Sequence, residues 1–161
     1  MSLSMLKKGL LRLLLLLLLY FLQADVFPHL RVLGACPLLL PLAAVGFGLF
    51  EGGLVGGLWG LAAGILCDLS VNGTFAFTVL LCCAGFLAGF LGEFIMARGF
   101  LPFLLLAAGT ELCAVLIQAI PLLSAAEPMQ LLPAMGVQFL YSLLFAFPVS
   151  RAARGISRIK G

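Results

Sequence analysis

The chain of 161 residues has little charge: Asp, Glu, Lys and Arg together make up 9% of it, against 64% hydrophobic residues. A soluble domain carries about 25% charged residues, so a water-facing shell cannot be assembled from this composition. The mean hydropathy of +1.28 agrees, and the bilayer is the expected solvent. Histidine is almost missing. With His29 alone, metal sites built on two or three histidines are excluded, and a histidine-based triad would have to use that one residue. Polar and apolar residues do not alternate along the apolar runs, which argues against a β-barrel. The cysteines (Cys36, Cys67, Cys82, Cys83 and Cys113) lack CxxC spacing and are odd in number. They read as small hydrophobes rather than disulfides or zinc ligands. There is no HExxH, no GxSxG with a usable histidine, and no Gly-rich loop leading into a soluble helix. The net charge of +3 sits at the ends of apolar segments, where it reads as a topology signal rather than a nucleic-acid surface.

What is present is a series of six apolar segments, at about 10–27, 35–50, 53–69, 75–96, 101–123 and 130–149. A spanning helix needs about 20 apolar residues, so the length holds at most about six or seven crossings and no separate extramembrane domain. The second segment is short, with Pro37 and Pro41 near its start. Compact turns separate the segments at Glu51-Gly52, Ser70 to Thr74, Ala97-Arg98-Gly99 and Ser124 to Pro128, and Asn72-Gly73 is a turn signal. The expected fold class is all-α: one polytopic membrane domain over residues 1–161, with six transmembrane helices and a short basic tail at 150–161. Lys7, Lys8, the leucine run and Gln23-Ala24 imitate a secretory signal peptide. Retention of this segment is the favoured expectation, because the later segments insert in any case. Both termini then share a side with Lys7, Lys8, Arg12, Arg98, Arg151, Arg154, Arg158 and Lys160, leaving only Arg31 opposite. This asymmetry predicts cytoplasmic termini, and the basic tail is expected to rest on membrane lipids. Tyr20, Trp59 and Tyr141 are too few to define an aromatic belt.

Glycine carries the clearest pattern. Gly52, Gly56, Gly60 and Gly64 recur every fourth residue and Asp68 continues the spacing, so they share one helix face. Gly85, Gly89 and Glu93 repeat the theme, flanked by Ala84, Ala88 and Gly92. Small-residue stripes let helix backbones approach closely in lipid. The third and fourth segments are the expected close-packed pair, their stripes serving packing within the chain or a face for a partner. Asp68 is expected to cap the turn that follows it, with its carboxylate wet. Glu93 is expected to pair with Arg98 or face water.

Glu111 falls near the middle of the fifth segment, where an ionised carboxylate costs about 2.5–3.5 kcal/mol on insertion scales. Gln118 lies seven residues on, over a stripe filled by Ala107 and Ala114. Two readings stay open: a functional intramembrane acid, or a protonated one hydrogen-bonded to Gln118, Tyr141 or Ser142. Catalysis would have to draw on Glu111, Asp68 and His29, which this topology holds far apart, so a non-catalytic role is expected.

The run Gly56-Gly57-Leu58-Trp59-Gly60-Leu61-Ala62-Ala63-Gly64-Ile65-Leu66-Cys67-Asp68-Leu69 resembles the Gly-rich helix ending in Asp-Leu of the rod shape-determining MreD family. Pro37, the Gly-containing turn after Asp68, Gly85 with Gly89, and Glu111-Leu112 occur in matching order. Leu140-Tyr141-Ser142-Leu143-Leu144 followed by Pro148 is similar to the last helix of that family, with Ser142 where the family usually has Asn. The resemblance implies a multi-pass inner-membrane protein without catalytic activity or cofactor. It implies MreC as direct partner, and the actin-like MreB, RodA and a peptidoglycan transpeptidase as further partners in maintaining rod shape. It also implies a fold related to the six-helix substrate-binding subunits of energy-coupling-factor transporters. A vitamin-binding subunit of that kind is the alternative expectation, although convergent polar residues for a vitamin are scarce. A small intramembrane enzyme is a weaker third reading.

Overall fold

The computed structural model describes residues 3–26, 37–70, 75–94, 99–123 and 128–157. All regular elements among them are helical: α1 (Leu3–Phe21) running into a π-helical turn (Leu22–Val26), α2 (Leu40–Glu51), α3 (Gly53–Ser70), α4 (Ala76–Phe94), α5 (Phe100–Leu123), α6 (Pro128–Leu144) and α7 (Ala146–Ser157). Three stretches are long and apolar enough to cross a membrane: Gly53–Ser70, Ala76–Glu93 and Phe100–Ile120. The other helices fall short for different reasons. Lys7, Lys8 and Arg12 interrupt α1, whereas α2 has 12 residues and extends only about 18 Å against a hydrocarbon core of about 30 Å.

The short helix is the centre of the molecule. Every residue from Leu40 to Phe50 is buried, as expected of a helix that is apolar on all sides, and α3, α4, α5 and α7 surround it. The second apolar segment was expected from residue 35, but helix begins only at Leu40. Pro41 explains the start, because a residue without an N–H is best accommodated in the first turn. The end is set by Gly52, whose φ of 110° lies where a side chain is strained. The Gly52 N–H donates to the Gly48 carbonyl and the Gly56 N–H donates to the Gly52 carbonyl, so α3 follows α2 with a single intervening residue.

The last apolar segment was expected at 130–149, with a tail beyond it. Instead α6 stops at Leu144, Phe145 turns, and α7 carries the helix on to Ser157. Pro148 supplies the break, since it has no N–H to offer the carbonyl four residues back. Much of the expected tail is therefore packed helix. Val149, Ser150, Ala153 and Ile156 form a buried face, and α2 is the main neighbour of α7. The two arginines differ: exposed Arg151 places its guanidinium 5.2 Å from the Phe147 ring centre, whereas that of Arg154 is partly buried, 4.9 Å from the centre of the Phe50 ring of α2. Arg12 of α1 pairs with Glu51 at the end of α2. The middle of α1 and the last turns of α7 thus meet at one end of α2. His29, Arg31, Cys36, the Asn72-Gly73 turn, Arg98, Arg158 and Lys160 lie outside the described residues.

Candidate functional site

The two glycine stripes meet each other. A Cβ added at Gly85 would fall on the carbonyl of Gly56, and one added at Gly56 would fall on the Gly85 carbonyl and the Gly48 Cα. Three backbones, those of α2, α3 and α4, converge at this point, and only hydrogen fits between them. The contact continues in both directions. Gly60 abuts the Leu81 carbonyl, Gly64 abuts the backbone of Thr78, and Gly89 abuts the backbone of Gly53. In lipid the gain from such approach is dispersion between close-packed atoms. Gly52 departs from the expected stripe: it is the link between α2 and α3. Gly48 continues the every-fourth spacing one step before Gly52, but the break at Gly52 puts it on α2, so it meets the stripe from a second helix instead of extending it. Gly56, Gly60, Gly64, Gly85 and Gly89 are used within the chain, so they do not form a free face for a partner.

At the far end of this contact, Asp68 is buried, 4% exposed. Its Oδ1 accepts from the Phe77 N–H at 3.2 Å; its Oδ2 accepts from the Thr78 N–H at 2.9 Å and the Thr78 hydroxyl at 2.6 Å. The first N–H groups of a helix have no partner within it, and a carboxylate there also meets the positive end of the helix dipole. Asp68 therefore caps a helix, but from the preceding helix and out of water. The expected wet carboxylate is corrected: burial follows from α4 closing over the end of α3. Glu93, at the other end of α4, is exposed as expected of a group facing water.

The start of α2 is fastened in the same manner. The Leu38 N–H donates to the Ser142 hydroxyl at 2.8 Å, and the Leu39 and Leu40 N–H groups donate to the Gln23 side-chain carbonyl at 3.0 and 3.4 Å. A helix that begins away from water needs such acceptors, since each unmet donor there is costly. Gln23 gave no sequence signal of this role; its partner is fixed only once the turn after α1 is placed against α2. Ser142→Ala is expected to leave the Leu38 N–H without a partner and destabilise the fold by about 1–3 kcal/mol. Thermal unfolding in detergent reads this as a lower midpoint, while Ser142→Thr keeps the hydroxyl and most of the stability.

Glu111 is fully buried. The Ser142 hydroxyl, already bonded to α2, is the polar group that faces it, but neither carboxyl oxygen closes a hydrogen bond of regular geometry. Gln118 does not join it. Its side-chain carbonyl accepts from the Gln138 amide at 3.1 Å, fastening α5 to α6. Tyr141 meets Phe145 edge to face with ring centres 5.6 Å apart. Ser142 and Glu111 are thus brought together, while Gln118 is engaged elsewhere. Replacing Glu111 with Met keeps the volume and removes a buried polar group lacking a good partner. The purified variant is expected to unfold at the same or a higher temperature.

Among the described residues no group of three or more His, Cys, Asp or Glu side chains is arranged to hold a metal ion. Cys67 is buried as a free thiol, and Cys82, Cys83 and Cys113 are also free. The chemistry assembled here is that of fastening: small residues bring backbones together and polar side chains close the helix ends. No family model, no curated protein and no solved structure matches the chain.

Proposed function

We propose that the chain is a non-catalytic membrane scaffold of the MreD type, placed in the bacterial inner membrane to organise lateral peptidoglycan synthesis in the elongation machinery. The observation that carries this reading is the commitment of interior polar side chains to helix ends: Asp68 holds α4, and Gln23 and Ser142 hold α2. Such an interior suits a rigid body that positions other proteins. In this reading α1, α2 with its lead-in, α3, α4, α5 and the bent α6–α7 pair make six crossings. Both termini are cytoplasmic, and the fold is akin to the substrate-binding subunits of energy-coupling-factor transporters. The meeting of Arg12 with Glu51 and of Arg154 with Phe50 supports a shared side for the two ends. MreC is the proposed direct partner, with MreB, RodA and a peptidoglycan transpeptidase in the wider assembly. Its contact lies on outward side chains rather than on the glycines.

One observation favours the alternative of a vitamin-binding transporter subunit: Glu111 is buried without a regular hydrogen-bond partner. Affinity purification of the tagged chain coexpressed with MreC, in mild detergent, separates the two. Retention of MreC in a stable complex is the expected result. A chain that fails to retain MreC but carries a bound small molecule in native mass spectrometry would overturn the scaffold reading.

A further inference from the structure

Between α1 and α7 runs an apolar groove of about 690 Å³, walled by Leu14, Leu18 and Phe21 on one side and Ala152 and Ile156 on the other. Leu14, Leu18 and Phe21 are more than half exposed, so the groove opens outward. Lys7 continues the same helix face as Leu14, Leu18 and Phe21, at a spacing of seven, four and three residues, which puts a cation at the mouth. Lys8 is beside it. Lys7 is exposed and Lys8 partly so; among the described residues neither is within ion-pair distance of a carboxylate, although Lys8 acts at longer range on the Glu51 carboxylate that Arg12 engages.

We propose that this groove is a binding site for an anionic phospholipid, with an acyl chain between α1 and α7 and the phosphate at Lys7 and Lys8. The proposal rests on the membrane-embedded reading of the chain and is independent of the scaffold role. Charge and shape both select this occupant. A groove in the bilayer does not stay empty, because its walls would lose their dispersion contacts, and a flexible hydrocarbon chain fits an irregular slot. A second transmembrane helix needs small residues on the wall to approach closely, but the α1 wall is built of leucine and phenylalanine. Lys7, without an ion-pair partner, favours a negative headgroup over a zwitterionic one by about fivefold, and Lys8, whose charge is shared with Glu51, adds a smaller factor.

Native mass spectrometry of the full chain, in mild detergent with equal phosphatidylglycerol and phosphatidylcholine, tests the site. The wild type is expected to retain phosphatidylglycerol at least fivefold over phosphatidylcholine. The double variant Lys7→Gln/Lys8→Gln should lose that preference. Ala152→Phe, which fills the groove, should lower retention of both lipids, while Leu144→Phe on another exposed surface should not. Equal retention of the two lipids by the wild type, an unchanged preference in the double variant, or a second copy of the chain displaced by Ala152→Phe would each overturn the proposal. Recovery of the chain in the membrane fraction is read separately; a chain found only in the soluble fraction would contradict the membrane reading itself.

Discussion

Leucine at Gly85 is expected to cost about 3 kcal/mol or more, lowering the thermal midpoint of the detergent-purified chain by on the order of 10 °C or preventing folding. The reason is geometric. A Cβ at this position meets the Gly56 carbonyl group and stands 3.3 Å from the Ala44 carbonyl oxygen. These are backbone atoms in two other helices, so no rotamer change relieves the clash. Either α4 moves away from both α2 and α3, or the three helices lose their common contact. Because α2 is buried from Leu40 to Phe50, withdrawal of α4 exposes the centre of the molecule. Gly109, where an added Cβ meets nothing within 4 Å, is the control: Gly109→Leu should leave the midpoint at or above that of the wild type. Circular dichroism on heating checks both.

Asp68→Ala is expected to be nearly as damaging, at about 3 kcal/mol, since a charged acceptor is lost from three donors and two of them are backbone N–H groups at a helix start. Asp68→Asn should fall between alanine and the wild type, because it keeps one acceptor oxygen but turns its amide toward donors. The two substitutions are compared by thermal midpoint. Hydrogen exchange at the first turn of α4 should accelerate more than exchange in α5. A uniform change across the molecule, or none, would mean that the carboxylate does not hold the start of α4.

The spacing of Gly56, Gly60 and Gly64, and of Gly85 and Gly89, was enough to place each set on one helix face and to pair α3 with α4, because helix periodicity is local information. The third party to that contact was legible only in part. Gly48 falls four residues before Gly52 and keeps the spacing, but the break at Gly52 takes it off the α3 face, and its place between the other two backbones depends on how α2 packs. The caps show the same limit. Capping by Asp68 could be read from its place before a turn, but its burial depends on where α4 lies. The bond from Leu38 to Ser142 joins positions 104 residues apart. The segment after Val149 was misread for a different reason. Its arginines dominated the composition, while the spacing of Val149, Ala153 and Ile156 was that of an amphipathic helix. Glu111 was recognised from cost alone, and its cost remains: the fold buries the carboxyl and provides no regular hydrogen bond to it.

The glycine faces hold this chain together and are not reserved for a partner. Gly56→Ala and Gly57→Ala, compared in the isolated chain, test this most directly. The two residues are neighbours on the same helix and share its propensity, yet a Cβ at Gly56 meets backbone of α2 and α4, whereas one at Gly57 has its nearest contact at 3.6 Å, with the Phe86 Cβ. The thermal midpoint should fall for Gly56→Ala and hold or rise for Gly57→Ala, where only the gain of about 1 kcal/mol in helix propensity applies. Equal midpoints for the two variants, without any partner present, would contradict the account.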